Sequence, residues 1–507
     1  MALGRTISTA QLGVQAKIVR VEANVGPGLP GTYIVGLADT AISESRDRIK
    51  TAVQNSGLMW PKTKVIINLS PASMRKQGSQ CDLAMTVAVL VAHGSNPKAK
   101  FHAQNTLFLG EVALDGTLLP VTGVLPALLA AKEEGIGKIV IPEGNAQEAG
   151  LVEDPSVFLA HSIDQVLRWL DGEEALPQPG LFNDENSLKL PDMRDVVGQP
   201  EARFAAEVAA AGGHHMLMIG PPGSGKSMIA ERIPSLLPEL SPQQMIEATA
   251  VHSVVGRTFS GPVSRAPFIS PHHNVSKAAL LGGGSGSPLP GAISLAHHGV
   301  LFLDEVSEIP ASILDSLRTP LEYGSIRIIR SRHDVTFPAQ FQLILAANPC
   351  RCGAEQPQEC VCSGSARATY LNNLSGPLRD RLDMVVATHS KGAVLRSDDV
   401  EASAPIADRV AQARERAAFR WRRSGLGNLV NAHVDPHFLR RNFAATEDAM
   451  VYLGAFLAEG TISQRGCDRA IKLGWTLCDL DGEQQPNLDH IARAMELRGT
   501  TYSEVAA

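Results

Sequence analysis

The sequence predicts a multidomain α/β chain, and three observations carry that expectation. The first is the run Met216-Leu217-Met218-Ile219, a short buried strand that feeds a glycine-rich turn and then a helix beginning near Met228. The second is a pair of further apolar runs, residues 299–303 and 342–347, each ending in polar side chains, as the buried strands of a parallel sheet do. The third is composition. Aliphatic residues, Ala and Gly are plentiful while aromatics make up 5%, which suits helix-rich α/β domains.

A chain of 507 residues accommodates roughly three or four domains, each with its own core. The net charge of −6 excludes a uniformly basic nucleic-acid binder and leaves room for local basic patches. Seven cysteines, four of them clustered, do not form the pattern of a secreted disulfide framework. The N-terminus lacks a basic-then-apolar leader, and no apolar run approaches the length that spans a bilayer. The expectation is therefore a cytoplasmic protein with no membrane partner.

The N-terminal domain is expected over residues 1–175. Residues 14–37 alternate in polarity and read as strands, 38–56 as an amphipathic helix, 64–69 as another strand. Residues 82–93 read as an apolar helix, buried rather than membrane-associated on its length. A proline-rich, polar stretch over 176–191 marks a linker. A second domain is expected over 192–395, and a helical one over 396–507.

The second domain carries the chemistry. Residues 220–227 read G-x-x-x-x-G-K-S between a strand and a helix, the context a phosphate-binding loop needs. Gly220, Gly223 and Gly225 let the backbone curl so that its N–H groups face oxyanions, with Pro221, Pro222 and Ser224 completing the loop. The helix N-terminus adds its positive end. Lys226 reaches β- and γ-phosphates and the Ser227 hydroxyl ligates Mg²⁺. The strand over 299–303 ends in Asp304-Glu305 at the mouth of the sheet, so Asp304 is expected to hold Mg²⁺ through water and Glu305 to act as general base. ATP and Mg²⁺ are the expected cofactors.

Cys350, Cys352, Cys360 and Cys362 put four thiols into a short loop, a donor set suited to tetrahedral Zn²⁺; reduced thiols and a redox pair are the other occupants considered. Cys81, Cys467 and Cys478 are isolated and read as core residues. Residues 321–336 read as a β-hairpin with Arg327, Arg330 and Arg332 near its tip. His272 and His273 are expected to point apart and to serve as hydrogen-bonding groups. Residues 408–423 form an arginine-rich helix, read as a solvated face with nucleic-acid contact as the competing role.

Family resemblances extend this reading. Residues 110–142, including Gly110-Glu111-Val112-Ala113-Leu114-Asp115-Gly116, resemble the proteolytic domain of Lon-type proteases, which use a serine–lysine dyad. The lysine position holds Ala127 and the serine position falls at Gln80, so the resemblance implies an inactive α+β scaffold; Ser79 and Lys132 are not spaced to substitute. Asp195-Val196-Val197-Gly198-Gln199 ahead of the phosphate loop resembles the adenine-pocket segment of AAA+ ATPases, which assigns Val197 and Gly198 to the base. Residues 342–349 resemble the sensor-1 strand, with Asn348 orienting the attacking water. Residues 374–383 resemble an arginine-finger segment, with Arg381 first and Arg379 second. Residues 461–473 resemble the sensor-2 helix, which assigns Arg465 to the γ-phosphate with Arg469 behind it.

The stretch 267–296 and the hairpin are similar to the helix-2 insert and pre-sensor-1 hairpin of magnesium-chelatase-like ATPases. The whole order resembles the ComM/YifB group of that clade. The resemblance implies an ATP-hydrolysing homohexamer that acts on single-stranded or branched DNA as a helicase or branch-migration motor, with Arg327, Arg330 and Arg332 touching DNA in the pore. The competing implication is a magnesium-chelatase-like remodelling ATPase acting on a protein partner.

Overall fold

The computed structural model describes residues 2–36, 40–72, 78–94, 96–152, 154, 156–182, 190–258, 261–284, 287–330, 333–354, 359–366, 370, 374–390 and 400–499. Arg332 and residues 183–189 of the 176–191 stretch lie outside the described residues.

The N-terminal unit is built on a seven-stranded mixed sheet in the spatial order Gly31–Val35, Lys64–Ser70, Gln15–Gly26, Ala2–Leu12, Leu107–Phe108, Ile139–Pro142, Val157–Ala160. The expected strands, the helix Thr40–Asn55 and the helix Asp82–His93 are all present. Asp82–His93 is buried from Asp82 to Ala92, so it is a core helix. The strand Ala2–Leu12 gives no alternating apolar signal because its inward positions are small and polar. Thr6 Oγ1 donates to the Ala84 carbonyl at 2.8 Å and Ser8 Oγ to the Phe108 carbonyl at 3.0 Å, which satisfies each hydroxyl inside the core. Residues 176–182 lie back on this unit, with the Leu159 amide donating to the Pro177 carbonyl and the Phe182 amide to Gly150.

The second unit holds a five-stranded parallel sheet in the order Phe268–Ile269, Val300–Leu303, Gln342–Ala347, Met216–Ile219, Met384–Ala387. Side chains alternate between its two faces. Met216, Met218, Phe302 and Ile344 pack on one side with the alanine-rich helix Pro200–Gly212; Leu217, Ile219, Leu303 and Leu345 pack on the other with the hairpin. Burial on both faces explains why these strands read as continuous apolar runs. The hairpin consists of Ser325–Arg330 and His333–Pro338, paired antiparallel with Arg330 opposite His333.

The C-terminal helices Ser403–Arg423, Pro436–Asn442, Glu447–Ala458, Gln464–Asp481 and Leu488–Gly499 close around Trp421 and Trp475. Here the reading of 408–423 as a solvated basic face is corrected. Arg409 bonds Glu207 and Glu401, Arg414 the Ala210 carbonyl, Arg416 the Asp479 carbonyl, and Arg420 the buried Asp479 carboxylate while stacking over Trp475. Arginine is the cation that tolerates such interior pairing, since its planar fork meets carboxylates and carbonyls in several directions at once. Arg416, Arg422 and Arg423 stay exposed, while Arg409, Arg414 and Arg420 are half-buried.

Candidate nucleotide site and the arginine edge

Strand Met216–Ile219 delivers the phosphate loop to the carboxyl end of the sheet, where parallel strands place their ligands. Gly223 and Gly225 sit at φ 76° and 86°, and a side chain built on either meets nothing within 4 Å, so the loop curls around open space. Lys226 starts the helix Lys226–Arg232. Its Nζ donates to the Gly220 and Pro221 carbonyls at 2.7 and 2.9 Å and to Asn348 Oδ1 at 3.2 Å. Burial pushes the Lys226 ammonium below the usual lysine range, while Asp304 and Glu305 act against that shift.

Ser227 Oγ donates to Asp304 Oδ2 at 2.6 Å, bringing together the two groups expected around Mg²⁺. A hydroxyl and a carboxylate beside a buried lysine and a glycine-rich loop curled around open space form a donor set that fits a magnesium–triphosphate. Glu305 adopts φ 48°, a left-handed conformation that costs a non-glycine residue of order 1–3 kcal/mol and that clusters at functional sites. That turn swings Glu305 away from the strand axis, where its Oε2 meets His273 Nδ1 at 3.0 Å.

His273 is a site residue that sequence reasoning placed only as a hydrogen-bonding group. The expectation that His272 and His273 point apart is corrected, since their rings lie 4.0 Å apart; His272 Nδ1 accepts from the Asn274 amide at 3.2 Å and so turns the loop.

Val197 and Gly198 line a cleft of about 580 Å³ with Phe204, Glu207, Ile406 and Arg409. The next residue, Gln199, pairs with His389, whose neighbour Thr388 bonds Ser224 Oγ at 2.7 Å. The cleft therefore opens beside the phosphate loop.

The arginines are elsewhere. Arg381 donates to Glu322 Oε2 at 2.7 Å and to the Pro377 carbonyl at 2.9 Å, so the alternative of local pairing with Asp380 or Asp383 does not describe it. Arg465 lies 3.6 Å from Asp380. Arg469 bonds the Asp380 carbonyl and the buried Asp383 carboxylate, which makes it a structural cation and removes it as a phosphate ligand. Asp383 in turn meets His215 at the start of strand Met216–Ile219, whereas Gly220 lies at its end. That strand, about 13 Å long at ~3.3 Å per residue, separates Arg381 and Arg465 from the phosphate loop of their own chain.

On the hairpin, Arg327 is tied to Asp334. Arg330 is exposed and has no ion-pair partner among the described residues. In the N-terminal unit Ala127 is buried, Gln80 donates to the Thr9 carbonyl, and Ser79 bonds Glu111; among the described residues no lysine joins them. Two clusters of three or more metal-capable groups occur among the described residues, the cysteine quartet and Glu247–His297–His298. The second had no sequence signal, because Glu247 is far from the two histidines along the chain. No helix among the described residues is long and apolar enough to cross a membrane.

A phosphate cradle on a parallel sheet, with a Ser–Asp pair and a strained glutamate at the end of Val300–Leu303, one strand removed from Met216–Ile219, defines a P-loop protein of the AAA+ ATPase class. Models of the magnesium chelatase family match in chain order: subunit ChlI of Mg-chelatase over residues 21–145, magnesium chelatase subunit ChlI over 192–394, and the ChlI C-terminal region over 400–498. An uncharacterized protein of Mycobacterium tuberculosis is 47% identical over 504 residues, 99% of each chain. Protein YifB of Escherichia coli is 37% identical over 98% of this chain and 97% of its own. Competence protein ComM of Haemophilus influenzae is 36% identical over 98% of both. The likeness to Lon protease is partial, 26% identity over 33% of this chain and 22% of the Lachnoclostridium phytofermentans enzyme. The chain belongs to the ComM/YifB family of magnesium-chelatase-like AAA+ proteins.

Proposed function

We propose that this chain is an ATP-hydrolysing ring motor, a homohexamer that moves single-stranded or branched DNA as a helicase or branch-migration enzyme in recombination or natural transformation. The observation that carries the reading is the arginine edge. Arg381 and Arg465 gather beside Asp380 at the end of the sheet opposite Lys226, so a complete hydrolytic site needs two subunits. A repeated heterologous contact of that kind forms a ring when its rotation closes, and the proposal takes that closure at six subunits.

Within each site Lys226 holds the β- and γ-oxyanions, and Val197 and Gly198 receive the base. Ser227 and Asp304 hold Mg²⁺, which supplies charge neutralisation on the phosphates. Glu305 takes the proton of the attacking water and Asn348 orients that water. Arg381 and Arg465 of the neighbouring subunit meet charge developing on the transferred phosphoryl group. Arg330, with Arg332, contacts the DNA backbone without reading bases. Arg327, held by Asp334, shapes the hairpin instead. The name of the Haemophilus relative, a competence protein, supports incoming DNA as the substrate.

The test is ATPase activity of the full chain with and without forked DNA at low and raised salt, beside its mass in solution with a non-hydrolysable ATP analogue. A hexamer whose turnover rises with DNA is expected, and Arg330→Ala should lose that rise and lower the salt slope of binding by about 1. A monomer in the presence of nucleotide, indifferent to DNA at low salt, overturns the proposal.

A further inference from the structure

Beyond the nucleotide chemistry, the loop that follows Asn348 holds four cysteines in a tight cluster. The sulfurs of Cys350 and Cys352 lie 3.2 Å apart, those of Cys352 and Cys360 3.6 Å, and those of Cys360 and Cys350 3.4 Å. Cys362 joins them, all four lying within 4.8 Å of one another. A disulfide brings its sulfurs to about 2.05 Å, and none forms here. Four thiolates bound to one ion at a Zn–S distance of about 2.3 Å stand ~3.8 Å apart at the corners of a tetrahedron. An iron–sulfur cluster places several irons and inorganic sulfides between its thiolates, which spreads them more widely than a single ion does.

The backbone favours this convergence. The Gly353 amide donates to the Cys350 carbonyl at 3.0 Å, a turn that folds Cys352 back over Cys350. Cys350 itself is buried at the end of strand Gln342–Ala347, on the rigid side of the loop.

Two contacts carry the cluster to the nucleotide site. Asn348 stands two residues before Cys350 and accepts from Lys226 Nζ. Gly353 has φ +73°, and a Cβ built there would stand 2.7 Å from Pro222 Cδ in the phosphate loop. The cysteine loop thus lies directly on the phosphate loop, at a position that only glycine allows.

We propose that Cys350, Cys352, Cys360 and Cys362 bind a single Zn²⁺ as a tetrathiolate, and that this zinc knots the loop so that Asn348 and Pro222 are held in register around Lys226. The four residues are then zinc ligands and, toward ATP hydrolysis, positioning residues. Four cysteine ligands fill the tetrahedral shell and leave no position open to substrate or water, so the site is structural, and its loss would loosen the water-orienting amide without removing any group that touches phosphate. The coupling half of the inference rests on the reading of Lys226 and Asn348 as ATP-site groups; the zinc half does not.

The experiment uses the full chain purified without chelator from zinc-supplemented cells. About one zinc per chain is expected by elemental analysis. The double variant Cys352→Ser/Cys360→Ser should lose the zinc and show kcat lowered about tenfold, while affinity for a fluorescent ATP analogue stays within about twofold. Cys362→His, which converts the set to another common zinc ligand combination, should keep both zinc and turnover. If the double variant does not fold, zinc is withdrawn from the wild-type protein with a high-affinity chelator, and kcat should fall in step with its release.

A wild-type protein without zinc, or with iron in its place, overturns the metal assignment. Zinc-free protein that turns over ATP at the wild-type rate overturns the coupling. Metal content is read before nucleotide is added, so an inactive ATPase would leave the zinc assignment intact, and a zinc-free active enzyme would leave the ATPase intact.

Discussion

Replacing Arg381 by alanine separates catalysis in trans from local stability. Its guanidinium is bound to Glu322, whose side chain is 54% exposed, and the arginine itself is 20% exposed. A pair so open to water contributes about 0–1 kcal/mol to the fold, so Arg381→Ala should unfold close to the wild-type temperature. Turnover should nevertheless fall by about 10³ or more, the range for an arginine that meets transition-state charge on a phosphoryl group.

Mixing provides the decisive arm of the assay. Arg381→Ala retains its phosphate loop, and Lys226→Ala retains its arginine. Mixed one to one before ATP is added, about a quarter of the interfaces in randomly assembled rings pair an intact loop with an intact neighbouring arginine. If interfaces fire independently, phosphate release should recover to about a quarter of the wild-type rate. A mixture no more active than either variant by itself would refute the two-subunit site, as would wild-type turnover in Arg381→Ala.

Other expectations follow from individual contacts. Glu305→Gln should bind ATP normally and hydrolyse it about 10²–10³ more slowly, as measured by single-turnover phosphate release; normal hydrolysis would show that another group is the base. His273→Ala removes the partner of Glu305 at 3.0 Å and should lower kcat with KM for ATP little changed, a split that steady-state kinetics reads directly. Asp383 gives a pH signature: burial pushes its carboxyl up, but Arg469 and His214 outweigh that and hold it well below the usual range. Because the folded value is depressed, the interaction stabilises the fold above the unfolded carboxyl pKa of about 4. That contribution is lost as pH falls through the folded value. Melting temperature should therefore drop on acidification in the wild type and less steeply in Asp383→Asn, with equal slopes ruling out the role given to Asp383.

The groups around the phosphates were legible in the sequence because each belongs to a short local pattern. A glycine-rich turn between strand and helix, and a buried strand ending in Asp-Glu, need only nearest neighbours to fix where Lys226, Ser227 and Asp304 stand. Local periodicity likewise disclosed the buried parallel strands and the hairpin. Where pattern and environment diverged, the sequence was silent. Strand Ala2–Leu12 hides behind buried hydroxyls whose partners lie on other elements. The arginines of Ser403–Arg423 look solvated until Glu207 and Asp479 are brought to them from distant segments.

What the sequence by itself determined is the donor set of the candidate nucleotide site, since the residues proposed to hold phosphate and magnesium are set by two short local patterns along the chain. Tertiary structure alone decided which charges are free to act. Arg469 is taken up by buried Asp383, Arg327 by Asp334, and Glu305 is turned toward His273. The physical reason is that an ionic side chain commits to whichever opposite charge the fold brings within reach, and that choice depends on distances no linear spacing encodes.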